Sequence, residues 1–284
     1  MSKSLEQMLE PQPGLTMIVD ALNLAFRWKH SGDTDFLDSY IKTIESLKKS
    51  YKAQHVIITC DSGSSSYRKA LYPLYKQNRK DKFELQTPEE ALAFERFFTE
   101  FNRVMQYYKD ESGYPLFRFE KCEADDIAAY IVKKRKHYNI GNIVLVSSDR
   151  DWDLLVAPDV MRFSYVTRKE VTHDNWSEHY DCDPEEYISI KCLQGDTGDN
   201  IPGVPGIGPK KAYALIKEYG SCYDIIANLP IASRYKYIQN LNEFGSDKLM
   251  LNYQLMDLLE FCDTALGESN CNTIDETLCT YQPN

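Results

Sequence analysis

The sequence predicts an α/β fold with a mostly parallel sheet, followed by a largely helical region, and three observations carry that prediction. Three apolar runs, LTMIVD, HVIITCD and NIVLVSSD, each close on an aspartate, at Asp20, Asp61 and Asp149. Segments with helical periodicity lie between them, at 36–51, 88–108 and 124–137. Beyond Trp176 the texture changes to helices and glycine turns.

Each element has a reason. Continuous runs rich in β-branched residues suit strands covered on both faces. The order strand, helix, strand, long helix, helix, strand then builds a sheet with helices on both sides. In such sheets sites form at the carboxyl ends of the strands, where the three aspartates fall. Further helices are expected at 184–193, 209–219, 223–228 and 247–259, and the tail 267–284 is polar with weak signals. The division expected is a first domain at 1–176 and a helical region at 177–284.

The 284 residues are 43% hydrophobic and 27% charged, with a formal net charge of -10. Charge alone argues against nucleic-acid binding, unless the acids are clustered around cations that offset their field. Eight cysteines form no CxxC pair, which suits free thiols in a reducing cytoplasm. His173, His179, Cys182 and Cys192 lack the spacing of a zinc knuckle. No apolar run reaches the ~20 residues of a membrane span, and MSKSLEQMLE has no signal-peptide core. A soluble cytoplasmic protein is expected.

The acids are not scattered. Glu123, Asp125 and Asp126 stand together, Asp151 follows Asp149, and Asp196 and Asp199 lie in a glycine-rich run. With Asp20 and Asp61 these make nine acids that a packed sheet brings toward one edge. Taken singly, each has an ordinary explanation, since aspartate after a strand is a good helix cap. Recurrence at three strand ends favours a site, because like charges so close need cations among them. At ~100° per residue Asp125 points away from Glu123 and Asp126, so all three meet one site only if Glu123 precedes the first helical turn.

Two look-alikes fail. Asp149, Asp151 and Asp153 open like a calcium loop, but Leu154 stands where glycine is required and Val160 where glutamate is. Gly203 and Gly208 have P-loop spacing, but Pro209 precedes Lys210 and no Ser or Thr follows. An oxygen-only cluster suits magnesium or manganese, and two such ions suit phosphodiester hydrolysis.

Basic elements complement the acids. The run RKALYPLYKQNRKDK, from Arg68 to Lys82, carries six Lys or Arg against one Asp, with Tyr72 and Tyr75 interleaved. Cations tracking phosphates and rings stacking on bases suit a single strand. In GVPGIGPKKA, bare turns at Gly206 and Gly208 let backbone amides approach phosphate, and Lys210 and Lys211 add charge at a helix start. Such contacts hold a duplex without reading its bases.

IVDALN around Asp20, CEADD at 122–126, SSDRDWD at 147–153 and GDTGDNIPGVPGIGPKKA at 195–212 resemble the 5′-nuclease superfamily of flap endonucleases and 5′-3′ exonucleases. Together with IVDALNLAFRWKH and PLYKQNR, they look closest to the flap endonucleases of T-odd phages. The resemblance implies a PIN-like nuclease domain with a helical arch at about 76–110, then a helix-hairpin-helix. It implies one Mg2+ or Mn2+ ion with Asp20, Asp61, Glu123, Asp125 and Asp126, and a second with Asp149, Asp151, Asp196 and Asp199. Glu123, Asp125 and Asp126 are available to both. Lys76 matches a lysine that polarises the scissile phosphate, and Arg79 an arginine that assists it. Tyr75 joins them against DNA, and a potassium ion is expected on the carbonyls of Val204 and Ile207. Gln77 and Trp152 depart from the family pattern. The implied function is a monomeric, magnesium-dependent nuclease of phage replication and recombination that cuts 5′ flaps and degrades DNA from 5′ ends. A PIN-type ribonuclease and an inactive DNA-junction binder are the rivals.

Overall fold

The structure, a computed structural model, describes residues 14–281. Its main sheet has six strands: β1 (Thr16–Asp20), β2 (His55–Thr59), β3 (Leu116–Phe117), β4 (Ile143–Val146), β5 (Val160–Ser164) and β6 (Lys169–Val171). They lie in the order β3-β2-β1-β4-β5-β6, parallel except for the β5–β6 pair. The chain passes from β1 to β2 on one side and later to β4 on the other. Strand order therefore reverses between β1 and β4, where open sheets of this kind form their crevice. The three expected strands are all present. The three not foreseen are a two-residue edge, a three-residue edge, and β5, whose VMRFS carries a buried arginine at its centre.

Helices α1 (Ala21–Ser31), α2 (Leu37–Tyr51), α3 (Ser66–Leu71), α4 (Gln77–Glu84), α5 (Pro88–Asp110) and α6 (Ala124–Lys134) belong to the first part of the chain. After a ribbon of β7 (Gly195–Asp196) and β8 (Ile201–Pro202), preceded by α7 (Pro184–Gln194), come α8 (Pro209–Tyr219), α9 (Cys222–Asn228), α10 (Lys236–Met256), α11 (Leu258–Leu266) and α12 (Glu268–Thr280). Strand alternation sorts the core. Ile18, Ile57 and Leu145 face α6 through Ile127 and Ile131, whereas Met17, Val19, Val56 and Ile58 face α1, α2 and α5 through Trp28, Tyr40 and Phe101.

Packing crosses the expected division near residue 177. Helices α7 to α10 share one core, but Leu258, Cys262 and Ile274 of α11 and α12 join the core of Ile18 and Ile127. The polar tail is mostly α12, which buries only Cys271, Ile274 and Leu278. Three apolar residues at helical spacing form a stripe too thin to stand out in ESNCNTIDETLCT. The helix expected at 247–259 is two helices, because α10 ends at Met256 and Asp257 caps α11 through the Glu260 amide.

The expected arch is α4 and α5, joined across Thr87, whose capping box with Glu90 starts α5. The C-terminal half of α5 is anchored by Phe97, Phe101, Val104 and Tyr108, while Phe83, Leu85 and Leu92 lie exposed.

A single buried arginine ties three segments together. Arg68 of α3 donates both terminal nitrogens to Asp126 of α6, at 2.7 and 2.8 Å, and its Nε to the Leu255 carbonyl of α10, at 2.8 Å. Removing one partner of such a pair strands a buried charge. Arg68→Met is expected to destabilise the protein by about 3–5 kcal/mol in urea unfolding, and adding Asp126→Leu should recover part of that loss. A cost under about 1 kcal/mol for Arg68→Met would show that the pair does not hold α3 in place.

Candidate active site

Three strand ends place the first acids. Asp20 ends β1 and caps α1, with Oδ1 accepting the Asn23 amide at 3.1 Å and Oδ2 the Ser147 hydroxyl at 2.8 Å. Asp61 follows β2 and accepts the Ala124 amide at 2.6 Å. Asp149 follows β4 and accepts the Asp151 amide at 2.9 Å, starting the 3-10 turn Arg150–Leu155. The capping role and the site role are thus compatible: a backbone bond fixes the rotamer of each carboxylate.

Seven of the nine acids line one cleft of about 360 Å3: Asp20, Asp61, Asp125, Asp149, Asp151, Asp196 and Asp199, with Asn23, Phe26, Lys76 and Arg79. Asp196 and Asp199 arrive on the β7–β8 ribbon, where the Asp199 amide donates to Asp196. The two remaining acids differ. Glu123 precedes α6 in extended conformation, as the helix geometry requires, yet its oxygens are taken by Lys76 at 2.7 Å, Tyr75 at 2.9 Å, the Ser65 amide and Arg68. Asp126 is 1% exposed and both its oxygens go to Arg68. It lies on the Glu123 side of α6, away from the cleft, so the expectation that it joins Asp125 at one ion is corrected.

The basic run is also reassigned in part. Tyr75, expected against DNA, is 2% exposed, and its hydroxyl meets Glu123 and Asp199 at 2.9 Å each. A ring so enclosed offers no face to a base. Arg68 is internal as well. Lys76 and Arg79 do face the cleft. Lys76 takes a left-handed backbone, φ 54, a strained state for a non-glycine residue, and its amide is held by the Asp199 carbonyl at 2.9 Å. Arg79 bonds Asp199 and the Gly198 carbonyl, and Asn78 bonds the Thr197 carbonyl. The base of the arch is therefore seated on the ribbon loop.

Electrostatics follow from burial and crowding. Burial and the neighbouring Asp61 push Asp20 up to about 8, and burial and Asp151 push Asp149 up to about 6. Burial, with Asp149 and Asp61, holds Asp125 well above the usual carboxylate range, and burial raises Asp61 and Asp199 too. Glu123 goes the other way: burial opposes its charge, but Lys76 and Arg68 outweigh it and hold it low. Among the described residues no three acid, histidine or cysteine side chains converge closely enough to form a closed cage. The donor set nevertheless fits hard divalent cations. It is all oxygen, and seven carboxylates face two cations in the cleft, a charge imbalance that bound metal would offset.

Several partners were not foreseen from sequence. Lys191 donates to Asp151 at 2.7 Å and stands 3.6 Å from Asp196; it is the single cation of PEEYISIKCLQ, a faint signal. Trp152, a departure from the family pattern, is fully buried and donates its indole N–H to Asp125 at 2.6 Å. In the hairpin the Val204 carbonyl accepts the Ile207 amide at 3.1 Å, and Gly206 takes a left-handed turn, φ 82. Lys211 is turned back onto the Gly206 carbonyl and lies over Tyr237, so Lys210 is the lysine that borders the groove beside the cleft.

Comparisons with known proteins identify the family. Residues 15–181 match the 5′-3′ exonuclease N-terminal resolvase-like domain, and residues 182–276 match the 5′-3′ exonuclease C-terminal SAM fold. The chain is 42% identical to a flap endonuclease of Escherichia phage T5, over 92% of this chain and 89% of that protein. It is 25% identical to a 5′-3′ exonuclease of Aquifex aeolicus, over 84% and 76%. Among solved structures, T5 5′-exonuclease with bound divalent zinc superposes with a TM-score of 0.87 at 40% identity, covering 93% of this chain and 98% of that one. The chain belongs to the 5′-3′ exonuclease family.

Proposed function

We propose that this structure-specific 5′ nuclease hydrolyses DNA phosphodiesters with two magnesium ions, manganese substituting, in the cleft at the strand ends. One observation carries the reading: seven carboxylates and Lys76 share a cleft that adjoins a groove reaching the start of α8 at Pro209 and Lys210. Asp20, Asp61 and Asp125 would hold one ion, and Asp149, Asp151, Asp196 and Asp199 the other. When bound, the ions lower the pKa of water and neutralise the phosphate.

The chain's own groups do the positioning. The bond to Glu123, together with Asp199 at 3.8 Å, keeps the Lys76 ammonium charged despite burial and aims it into the cleft. From there it can donate to a non-bridging phosphate oxygen. Arg79, seated on Asp199, can exchange that partner for the same phosphate. Glu123 thus serves as the holder of Lys76. The 5′ strand passes beneath α4 and α5, and the hairpin at Gly206, Gly208, Lys210 and Lys211 holds duplex backbone; the Val204 and Ile207 carbonyls would hold potassium. A monomer acting on 5′ flaps and 5′ ends in a phage-infected cytoplasm completes the proposal; no described helix is long and apolar enough to cross a membrane.

End-labelled 5′-flap DNA, blunt duplex and a matched RNA strand, each with magnesium or EDTA, test the reading. Flap cleavage in magnesium alone is expected, whereas cleavage of RNA only would favour a ribonuclease. Asp149→Asn should abolish turnover and leave flap binding largely intact; unchanged turnover would remove Asp149 from the metal site.

A Cβ at Gly208 would meet nothing within 4 Å, and its φ is -98, so the fold does not require glycine there. Gly208→Ala should cost under about 1 kcal/mol of stability yet weaken duplex binding several-fold for any sequence. Equal binding would show that no phosphate approaches this amide.

The crowded acids also predict how metal and pH interact. Asp20 at about 8 and Asp149 at about 6 lie above their unfolded value of 3.8, so the metal-free fold holds extra protons between those limits. Its stability should therefore fall as pH rises from 4 to 8. Metal binds the deprotonated acids, so saturating magnesium should raise the melting temperature by roughly 5 °C near pH 8 and by much less near pH 5. An equal shift at both would contradict a carboxylate metal site.

A further inference from the structure

Continuous with the acid cleft through Asp149, Asp151 and Asp196 runs a larger groove of about 1040 Å3, whose far side is the start of α8 at Pro209, Lys210 and Tyr213. A strand cut at the acids and held at the hairpin has to lie along this groove. Its acids, Asp149, Asp151, Asp181 and Asp196, repel a phosphate, and three cations line it: Arg150, Lys191 and Lys210.

Arg150 lies between Asp149 and Asp151 in sequence but forms no ion pair with either among the described residues. Its Nε donates to the Tyr180 hydroxyl at 3.3 Å, and its guanidinium lies over the Tyr180 ring, 5.1 Å from the centroid. The other cations at the acids are committed: Lys76 to Glu123, Arg79 to Asp199 and Lys191 to Asp151. Tyr180 is a rigid platform. It stacks on Trp176 at 4.4 Å, packs against Tyr187 at 4.5 Å, and donates its hydroxyl to Asp153, which is itself paired with the buried Arg162. A planar guanidinium preset on an aromatic face, with its terminal nitrogens uncommitted, matches a phosphate in two-point contact.

We propose that Arg150 binds the backbone phosphate of the cut strand in the groove, between the scissile position and the hairpin. The inference rests on the nuclease reading and adds a contact that places the scissile phosphate relative to the hairpin. Neither SSDRDWD, read for its acids, nor the two basic runs pointed to it.

The test is binding of a 5′-flap duplex in EDTA, across salt, by wild type, Arg150→Ala and Arg150→Lys. Parallel substrates carry one neutral methylphosphonate at each successive position on the hairpin side of the cut. Arg150→Ala should weaken binding about tenfold and lower the salt slope by about one, with an unchanged unfolding midpoint. Arg150→Lys should keep the slope and recover only part of the affinity, since a point charge lacks the guanidinium fork. One neutral linkage should reproduce the loss in wild type and cost nothing further in Arg150→Ala. An unchanged slope, or neutral linkages that cost Arg150→Ala as much as wild type at every position, would overturn the proposal. Absence of magnesium-dependent cleavage by wild type would instead sink the nuclease reading, while the binding cycle still decides Arg150.

Discussion

Mutual repulsion among carboxylates is the constraint around which this structure is arranged. Seven of them line one cleft, and burial adds to the repulsion by withholding solvent. The fold holds them apart from one another with fixed donors: backbone amides on Asp20, Asp61, Asp149 and Asp196, the Ser147 hydroxyl on Asp20, and the Trp152 indole on Asp125. Cations do the rest at the rim. Lys191 bonds Asp151 and borders Asp196, and Lys76 and Arg79 flank Asp199. What this leaves is a cleft still short of positive charge, which is the condition a divalent metal meets.

Glu123 shows how the same residue type takes opposite roles by position. Extended backbone turns it out of the helix that carries Asp125, into the reach of Arg68, Tyr75 and Lys76. Its charge is favoured while that of Asp125, two residues on, is disfavoured. Tyr75 bridges Glu123 to Asp199, and the Lys76 amide meets the Asp199 carbonyl. The strained turn at Lys76 is thus held from two sides, and the base of the arch, the first acids and the ribbon acids become one assembly.

What was legible in the sequence follows the range of the interaction. Strand ends, glycine turns and the acid positions are local patterns, and they located the sheet, the cleft and the hairpin. Roles set by tertiary partners were not legible. Arg68 and Tyr75 sit in a run whose composition suits a mobile single-strand binder, but their partners Asp126 and Glu123 are 58 and 48 residues away. Nothing local marks Asp126 as internal, because it differs from Asp125 only by its angle around α6. The return of α11 and α12 to the sheet was equally hidden, since a helix of so few apolar residues does not announce which core it joins.

The link between hairpin and cleft is made through main-chain groups, one buried side chain bracing them. A Cβ on Gly203 would stand 1.8 Å from the Gln194 carbonyl oxygen, and one on Gly195 2.3 Å from the Gly203 nitrogen, so the ribbon closes tightly onto the end of α7. The buried Asn252 of α10 donates to the carbonyls of both Cys192 and Pro202, at 2.9 Å each, and the Val204 amide reaches the Leu193 carbonyl at 2.8 Å. Side-chain contacts can relax, but a ribbon closed by main-chain bonds transmits a fixed spacing. Under the proposed function, the distance from duplex to scissile phosphate would therefore be a property of this ribbon. On that proposal the run LQGDTGDNIPGVPGIGPKKA would combine acids and lysines for one reason: repulsion and attraction of phosphate would occupy the two ends of one rigid link.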